Sequence, residues 1–274
     1  MERVDLVVAV IAGIVQGVVE WLPISSQGNL AAVLTAVGTD PEVAVQLALF
    51  LQVGTSLSAA TYYREEIETV LRGLPDWRLD AAYDRQNALT SYVAVATVLT
   101  GVVGIPLYIF AVDLAGELTG GTFIAVIGVL LVLTGGLQLV SEARGGTRSQ
   151  PTLVDSVLVG AAQGVAILPG ISRSGVTTSA LLVRHYDPPE AFRLSFLLSI
   201  PAAVGAAVLT VTESGGLPGI DPTPAAVALL VSAAVGYLTI DALVRIVDRI
   251  QFWLVCFGLG GLAIAGGLLA VFLF

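Results

Sequence analysis

Cysteine, histidine and lysine are almost missing from this sequence. Its 274 residues contain one cysteine, one histidine and no lysine. The single Cys256 excludes a disulfide framework, and no Cys/His cluster of the kind that holds zinc is present. The single His185 stands beside Arg184 and shortly before Pro188-Pro189, which favours a loop residue over a metal ligand.

Charged residues are also scarce. Asp, Glu, Lys and Arg form 12% of the chain, about half the share of an ordinary soluble domain, while 56% is hydrophobic. The net charge of −9 disfavours a nucleic-acid partner, because phosphate backbones are bound by a basic face. An acid-rich chain without lysine leads to the hypothesis of a high-salt host. Residues 1–22 lack the basic region and cleavage site of a signal peptide.

Six apolar runs are each long enough to cross about 30 Å of hydrocarbon at a rise of about 1.5 Å per residue. The predicted spans are 43–63, 88–112, 122–140, 191–212, 224–244 and 252–274. The sequence therefore predicts an all-α polytopic protein, with one integral membrane domain over residues 1–274.

Two further apolar stretches, 4–37 and 153–186, are interrupted by proline, glycine and serine. Irregular backbone at membrane depth is tolerated only where protein buries it or water reaches it. We therefore expect two re-entrant helical hairpins, each entering and leaving the membrane on one side.

The arginines predict the orientation in the membrane. Arginine-bearing connections are expected in the cytoplasm and arginine-free ones outside. The first group is 64–87, 141–152 and 245–251, and the second is 113–121 and 213–223. With six spans in a plasma membrane, both termini are expected outside. The mixed charges and Trp77 of 64–87 predict an amphipathic connection at the cytoplasmic interface.

The two interrupted stretches resemble each other. Residues 13–28 read GIVQGVVEWLPISSQG and residues 160–175 read GAAQGVAILPGISRSG. Three predicted spans follow each copy, so repeat two (153–274) would be inverted relative to repeat one (1–140). In such architectures the broken segments meet near the midplane and bind the substrate there. Chance similarity between two glycine-rich stretches is the alternative.

Glu20 and Arg173 are the ionisable residues within the interruptions. A charge at that depth costs a few kcal/mol or more unless it is paired or hydrated, so these residues are the strongest functional candidates. A purely structural ion pair between the hairpins is the other interpretation.

The residues around these charges suit an anionic ligand. Gly-Ser segments ahead of apolar runs resemble phosphate-binding turns at helix starts, although serines there are also common helix caps. The second segment offers Ser172, Arg173 and Ser174, and the first offers Ser25, Ser26, Gln27 and Asn29.

Four motifs resemble one known family. They are QGVVEWLPISSQGN at 16–29, LALFLQVGTSLSA at 47–59, AQGVAILPGISRSG at 162–175 and EAFRLSFLLSIPA at 190–202. The chain thereby resembles the undecaprenyl-diphosphate phosphatases of the bacitracin-resistance type. This resemblance implies a multi-pass membrane hydrolase that recycles a polyprenyl lipid carrier for cell-envelope synthesis. It also implies a site that opens externally and depends on a divalent cation, Mg²⁺ or Ca²⁺.

The resemblance extends to individual positions. The family's functional positions fall on Gln16, Glu20, Ser26, Ser172, Arg173, Ser174 and Thr177. Two positions depart from the common pattern: Asn29 stands where a histidine is usual, and Gln16 replaces a carboxylate of many relatives. The side chain of asparagine does not take up or release a proton near neutral pH. Either Glu20 would therefore do the acid–base work alone, or the activity has been lost.

These observations give a leading hypothesis and two competitors. The leading hypothesis is hydrolysis of a polyprenyl diphosphate, with Glu20, Ser26 and Arg173 catalytic. The residues expected to bind the substrate are Gln16, Ser25, Gln27, Asn29, Ser172, Ser174 and Thr177. Glu20 would orient a metal ion or act as general base, and Ser26 would be the nucleophile or a phosphate ligand. The competitors are a polyprenyl-phosphate flippase without hydrolysis and a membrane scaffold. The small residues of 258–267 fit either packing within the chain or a homodimer.

Overall fold

The structure is a computed structural model that describes residues 6–247 and 250–273. Arg249, the first residues of the predicted stretch 4–37 and the last residue of the predicted span 252–274 lie outside the described residues. The described chain is helical, apart from connections and one isolated bridge between Arg148 and Tyr186.

Eleven α-helices and one 3₁₀ turn (Leu79–Ala81) form the described part of the chain. The helices are α1 (Leu6–Val19), α2 (Ser26–Ala36), α3 (Pro41–Tyr62), α4 (Arg64–Gly73), α5 (Ala88–Glu117), α6 (Gly120–Glu142), α7 (Leu153–Val165), α8 (Arg173–Val183), α9 (Pro188–Glu213), α10 (Pro222–Val247) and α11 (Phe252–Leu273).

The six predicted spans are confirmed as long apolar helices. They are α3, α5, α6, α9, α10 and α11, each with the length and hydropathy needed to cross a bilayer. The predicted span 88–112 was too short, since α5 continues through Asp113 to Glu117. A charged residue ends an apolar run without ending the helix, because the helix can extend past the hydrocarbon.

Two helix pairs correspond to the interrupted stretches. α1 and α2 are separated by residues 20–25, and α7 and α8 by residues 166–172. Each of these segments is called a tip together with the first turn of the helix that follows, so that tip one is 20–29 and tip two is 166–175. As described, α1 has 14 residues and α7 has 13, which is about 20 Å each at the usual helical rise and less than the length of a bilayer crossing. Re-entry of these pairs from one membrane side stays a prediction.

Each tip contains a serine helix cap. The Ser25 hydroxyl accepts a hydrogen bond from the Gly28 amide at 3.3 Å and starts α2. The Ser172 hydroxyl accepts one from the Gly175 amide at 3.2 Å and starts α8. Ser25 has a φ of 60°, a left-handed conformation that is uncommon for a residue with a side chain.

Close helix packing brings glycines of α6 against α11. A Cβ added to Gly128 would lie 2.6 Å from the Gly260 carbonyl oxygen, and one added to Gly121 would lie 2.7 Å from the Gly267 carbonyl oxygen. Small residues permit such close backbone approach in membrane helices. The stretch 258–267 therefore serves packing within the chain at two of its glycines, and the homodimer stays a prediction.

A buried carboxylate closes the far end of the α7–α8 pair. Asp155 is fully buried, and its oxygens receive hydrogen bonds from Arg184 at 2.7 Å, Tyr186 at 2.8 Å and Arg148 at 3.0 Å. These contacts join the first turn of α7 to the end of α8, so the pair folds back on itself. His185 is an exposed residue of the turn that follows, as predicted.

Candidate functional site

The two tips touch. Gln27, at the start of α2, donates a hydrogen bond from its side-chain amide to the Ile167 carbonyl oxygen of tip two at 2.9 Å. Beside this bond, a Cβ added to Gly28 would lie 2.7 Å from the Gly170 Cα, so the two backbones are in direct contact there. The contact leaves the ends of tip one and tip two facing a common space.

Glu20 and Arg173 meet at this contact. Arg173 donates from Nη2 to Glu20 Oε1 at 2.5 Å, and both side chains are largely buried. The other carboxylate oxygen, Oε2, accepts hydrogen bonds from the Ser26 hydroxyl at 2.5 Å and from the Gln16 amide at 2.8 Å. The carboxylate therefore binds a guanidinium through one oxygen and a serine hydroxyl through the other.

Arg173 retains unused hydrogen-bonding capacity. Its Nη1 is buried and has no hydrogen-bond partner among the described residues. The guanidinium also lies over the Phe196 ring, with Cζ 5.8 Å from the ring centroid, which limits the directions from which a partner can approach. A buried donor without a partner costs about 1–3 kcal/mol, so this group is suited to an acceptor supplied by a ligand.

A small cavity lies beside the ion pair, here called the tip cavity. Its volume is about 60 Å³, which is room for a few water molecules. The predicted site residues that line it are Glu20, Ser25, Ser26, Gln27, Ser172, Arg173 and Ser174. The structure thus brings the polar side chains of both tips to one cavity.

Three predicted residues lie outside the lining of this cavity. Asn29 donates to the Ile24 and Ser25 carbonyl oxygens at 2.6 and 2.9 Å and so braces tip one. The buried Thr177 hydroxyl bonds the Arg173 carbonyl oxygen at 2.8 Å and the Ser195 hydroxyl at 2.6 Å. Gln16 lies behind the Glu20 carboxylate.

Sequence reasoning missed two residues of α6 that hold the tips. Thr134 Oγ1 accepts from the Ser172 amide at 3.3 Å and lies 3.4 Å from the Gly170 carbonyl oxygen of tip two. One turn further, the Gln138 amide donates to the Pro23 carbonyl oxygen of tip one at 2.5 Å. A polar side chain inside an apolar span was the available signal.

Two glutamines of other helices were also missed. Gln52 of α3 and Gln163 of α7 line the tip cavity. Both lie inside motifs that resemble the phosphatase family, at 47–59 and 162–175. Motif membership did not reveal which of their residues face the cavity.

The expected divalent cation has one carboxylate available at this site. No group of three or more His, Cys, Asp or Glu side chains converges within residues 6–247 and 250–273. Gln16 Oε1 is buried beside Glu20 and has no hydrogen-bond partner in the described part of the chain. One carboxylate with a neighbouring amide oxygen fits Mg²⁺, which commonly binds through one or two carboxylates and otherwise through substrate phosphates and water.

The fold and this site define a class. The chain is a multi-pass α-helical membrane protein in which a carboxylate and a guanidinium meet between two interrupted helices. Residues 9–262 match the family model described as bacitracin resistance protein BacA, and the chain belongs to this family.

Curated relatives cover nearly the whole chain. A Haloarcula marismortui protein named undecaprenyl-diphosphatase is 48% identical over 96% of this chain and 98% of its own length. Proteins with the same name from Methanococcoides burtonii and Methanopyrus kandleri are 41% and 37% identical. They match 93% and 96% of this chain over 96% and 97% of their own lengths.

Proposed function

We propose that this protein is a membrane phosphatase that hydrolyses a long-chain polyprenyl diphosphate to the monophosphate and so returns a lipid carrier to use. The buried, unpartnered Nη1 of Arg173 is the observation that carries this proposal. A phosphoryl oxygen would satisfy this donor while Nη2 keeps its bond to Glu20. Relatives that align over nearly the whole chain carry the name of this activity.

Tip two binds the diphosphate. Arg173 supplies the charge, and the hydroxyls of Ser172 and Ser174 lie beside it at the edge of the cavity. These groups stand at the N-terminus of α8, where free backbone amides and the helix dipole favour an anion. Fixed donors in a water-poor site stabilise the charge that develops on the phosphoryl oxygens during transfer.

Tip one performs the proton transfer. Ser26 donates its hydroxyl proton to Glu20 Oε2, so the carboxylate is within general-base distance of the nucleophile. Ser26 Oγ attacks the terminal phosphorus and the proton passes to Glu20. The bond from phosphorus to the bridging oxygen breaks, and the polyprenyl monophosphate leaves.

Water completes the reaction. A water molecule attacks the phosphoserine, the bond from Oγ to phosphorus breaks, and Glu20 returns its proton to Ser26. Inorganic phosphate leaves. A divalent cation held by Glu20 would neutralise charge on the diphosphate.

The two halves of the chain are inverted repeats, and the tip cavity opens to the external face. In an inverted repeat, α1 corresponds to α7 and α5 corresponds to α10. The packing supports this arrangement, since α1 contacts α10 and α7 contacts α5. The positive-inside rule assigns the arginine-bearing connections to the cytoplasm. Both termini then lie outside.

Phosphate release tests the activity. Purified protein is incubated with undecaprenyl diphosphate in detergent, with and without Mg²⁺ or Ca²⁺, at low and high salt. We expect release of inorganic phosphate, near-complete loss in Arg173→Ala, and wild-type rates in the exposed control Arg72→Ala. No release from the wild type under any condition, or at least half the rate in Arg173→Ala, would contradict the proposal.

A labelled substrate tests the nucleophile. With radiolabel on the terminal phosphorus, rapid acid quenching should trap label on the wild-type protein and none on Ser26→Ala. Turnover without any protein-bound label would instead make water the nucleophile and leave Ser26 as a phosphate ligand.

A further inference from the structure

We propose that an apolar groove between α5 and α9 holds the first isoprene units of the substrate's tail, and that Gly101 and Gly205 keep it open. This inference rests on the proposed function and deepens it. The groove has a volume of about 180 Å³. The side chains and backbone that define it include Thr97, Gly101, Gly104, Pro201, Gly205 and Leu209.

The groove adjoins the tip cavity. Five residues line both: Thr100, Gln163, Ile167, Ala202 and Ala206. Gln163 stands at the junction, where its amide donates to the Thr100 hydroxyl at 3.1 Å and to the Leu198 carbonyl oxygen at 3.3 Å. An amphiphile whose diphosphate lies at Arg173 would therefore have the start of its tail beside this groove.

The two glycines leave space that no side chain fills. Among the residues that the structure describes, no heavy atom lies within 4 Å of a Cβ added to Gly101 or to Gly205. Other glycines of the same region are used for packing: a Cβ on Gly160 would lie 2.6 Å from the Ala96 carbonyl oxygen. Glycine inside a helix costs about 1 kcal/mol relative to alanine, and helix contacts do not explain that cost at Gly101 and Gly205.

The groove borders the hydrocarbon. Val102 and Val204, the sequence neighbours of the two glycines, are 65% and 51% exposed on spanning helices. A tail in the groove would thus pass from the tip cavity into the membrane without entering water. The tail of a polyprenyl diphosphate fits this path, because the diphosphate to which it is attached is the ligand proposed for the tip cavity.

Filling the groove should impair long substrates selectively. We would compare Gly101→Leu and Gly205→Leu with Gly136→Leu and Gly261→Leu, which place the same side chain in open space on α6 and α11. For undecaprenyl diphosphate, kcat/KM should fall about tenfold or more in the groove variants only, mainly through KM. Isopentenyl diphosphate joins the same headgroup to one isoprene unit. For this substrate, kcat/KM of the groove variants should change less than about twofold.

A cross-linking experiment on the wild type does not require turnover or a variant that folds. A polyprenyl diphosphate with a diazirine near its headgroup should label peptides from 97–105 and 201–209, and excess unlabelled substrate should suppress that label. Label elsewhere would overturn the groove. Label that excess substrate does not suppress would show that the groove takes up the probe as it would any bilayer lipid. That result would also overturn the proposed tail site.

The two proposals fail in different ways. If the wild type releases phosphate and the leucine variants keep the wild-type KM, the groove is wrong and the phosphatase stands. If the wild type releases none, the phosphatase is wrong, and the labelled peptides still report whether a prenyl tail occupies the groove.

Discussion

Gly28 and Gly170 bring the two tips into backbone contact. A Cβ on Gly28 would lie 2.7 Å from the Gly170 Cα, and Gly170 itself has a φ of 104° that favours glycine. Gly170 is confined on its other side, because a Cβ there would lie 2.9 Å from the Leu130 Cβ of α6. Tip two is therefore confined between α2 and α6, and we expect this contact to set the distance between Glu20 and Arg173.

The first prediction follows from this contact. Gly28→Ala should force the tips apart and reduce kcat about 10²-fold, because misplacing reacting groups by about 1 Å costs that much. Phosphate release gives the rate, and Gly136→Ala is the matched control because a Cβ there meets open space. A Gly28→Ala protein that keeps more than half the wild-type rate would show that the contact does not set the geometry.

The second prediction concerns the shape of the guanidinium. Arg173→Lys keeps the positive charge but cannot bind Glu20 and a phosphoryl oxygen through two coplanar nitrogens. We expect kcat to fall about 10²-fold, comparable to losing one fixed donor from an anion-stabilising site. The control is Arg72→Lys, whose pairing with Glu68 is exposed on α4. Equal rates for Arg173→Lys and the wild type would mean that charge alone suffices.

Hydropathy made much of this fold predictable. Six long apolar runs leave a chain few options in a membrane, and all six became helices. The interruptions were equally visible, because Pro23 and Pro169 stand among glycines and serines. Glu20 and Arg173 are in contact, as expected for two charges at such breaks, because each removes the cost of burying the other.

The residues that hold the two tips in place were not predictable in the same way. Gln138 bonds the Pro23 carbonyl oxygen across 115 positions of the chain, and local sequence does not encode such a partner. Thr177 shows a related limit: the motif predicts a functional residue there but does not reveal that its hydroxyl bonds Ser195 in the core. A motif identifies a position, while packing decides where that side chain points.

The third prediction concerns stability. Burial raises the pKa of the Asp155 carboxyl, but hydrogen bonds from Thr152, Arg184 and Tyr186 outweigh burial and hold this pKa below its ordinary value. Asp155→Asn should lower the free energy of unfolding by about 3 kcal/mol, since it leaves partly buried arginines without their carboxylate. Thermal unfolding in detergent measures this, with the exposed Asp80→Asn as control.

The pH dependence of that stabilisation has a definite sign. A carboxyl whose pKa is lower in the folded state stabilises the protein above its unfolded pKa, about 3.9 for Asp, and loses this effect as the pH falls through the folded value. The difference between wild type and Asp155→Asn should therefore stay constant from about pH 5 to 8. A difference that shrinks within that range would argue against an ionised Asp155 as its source.

The fourth prediction assigns a positioning role to Thr134. Its hydroxyl accepts the Ser172 amide hydrogen bond, so Thr134→Val keeps the volume but releases the start of α8 that carries Arg173. We expect kcat to fall about tenfold, well under the cost of losing a donor that contacts the phosphoryl group itself. KM should change little, and Thr134→Ser should restore the rate because it keeps the hydroxyl. Thr212→Val is the control, because the Thr212 hydroxyl bonds only carbonyl oxygens of its own helix. If Thr134 had only a structural role, Thr134→Val would lower the thermal stability and the rate together. Thr134→Ser would then not restore the rate independently of the stability.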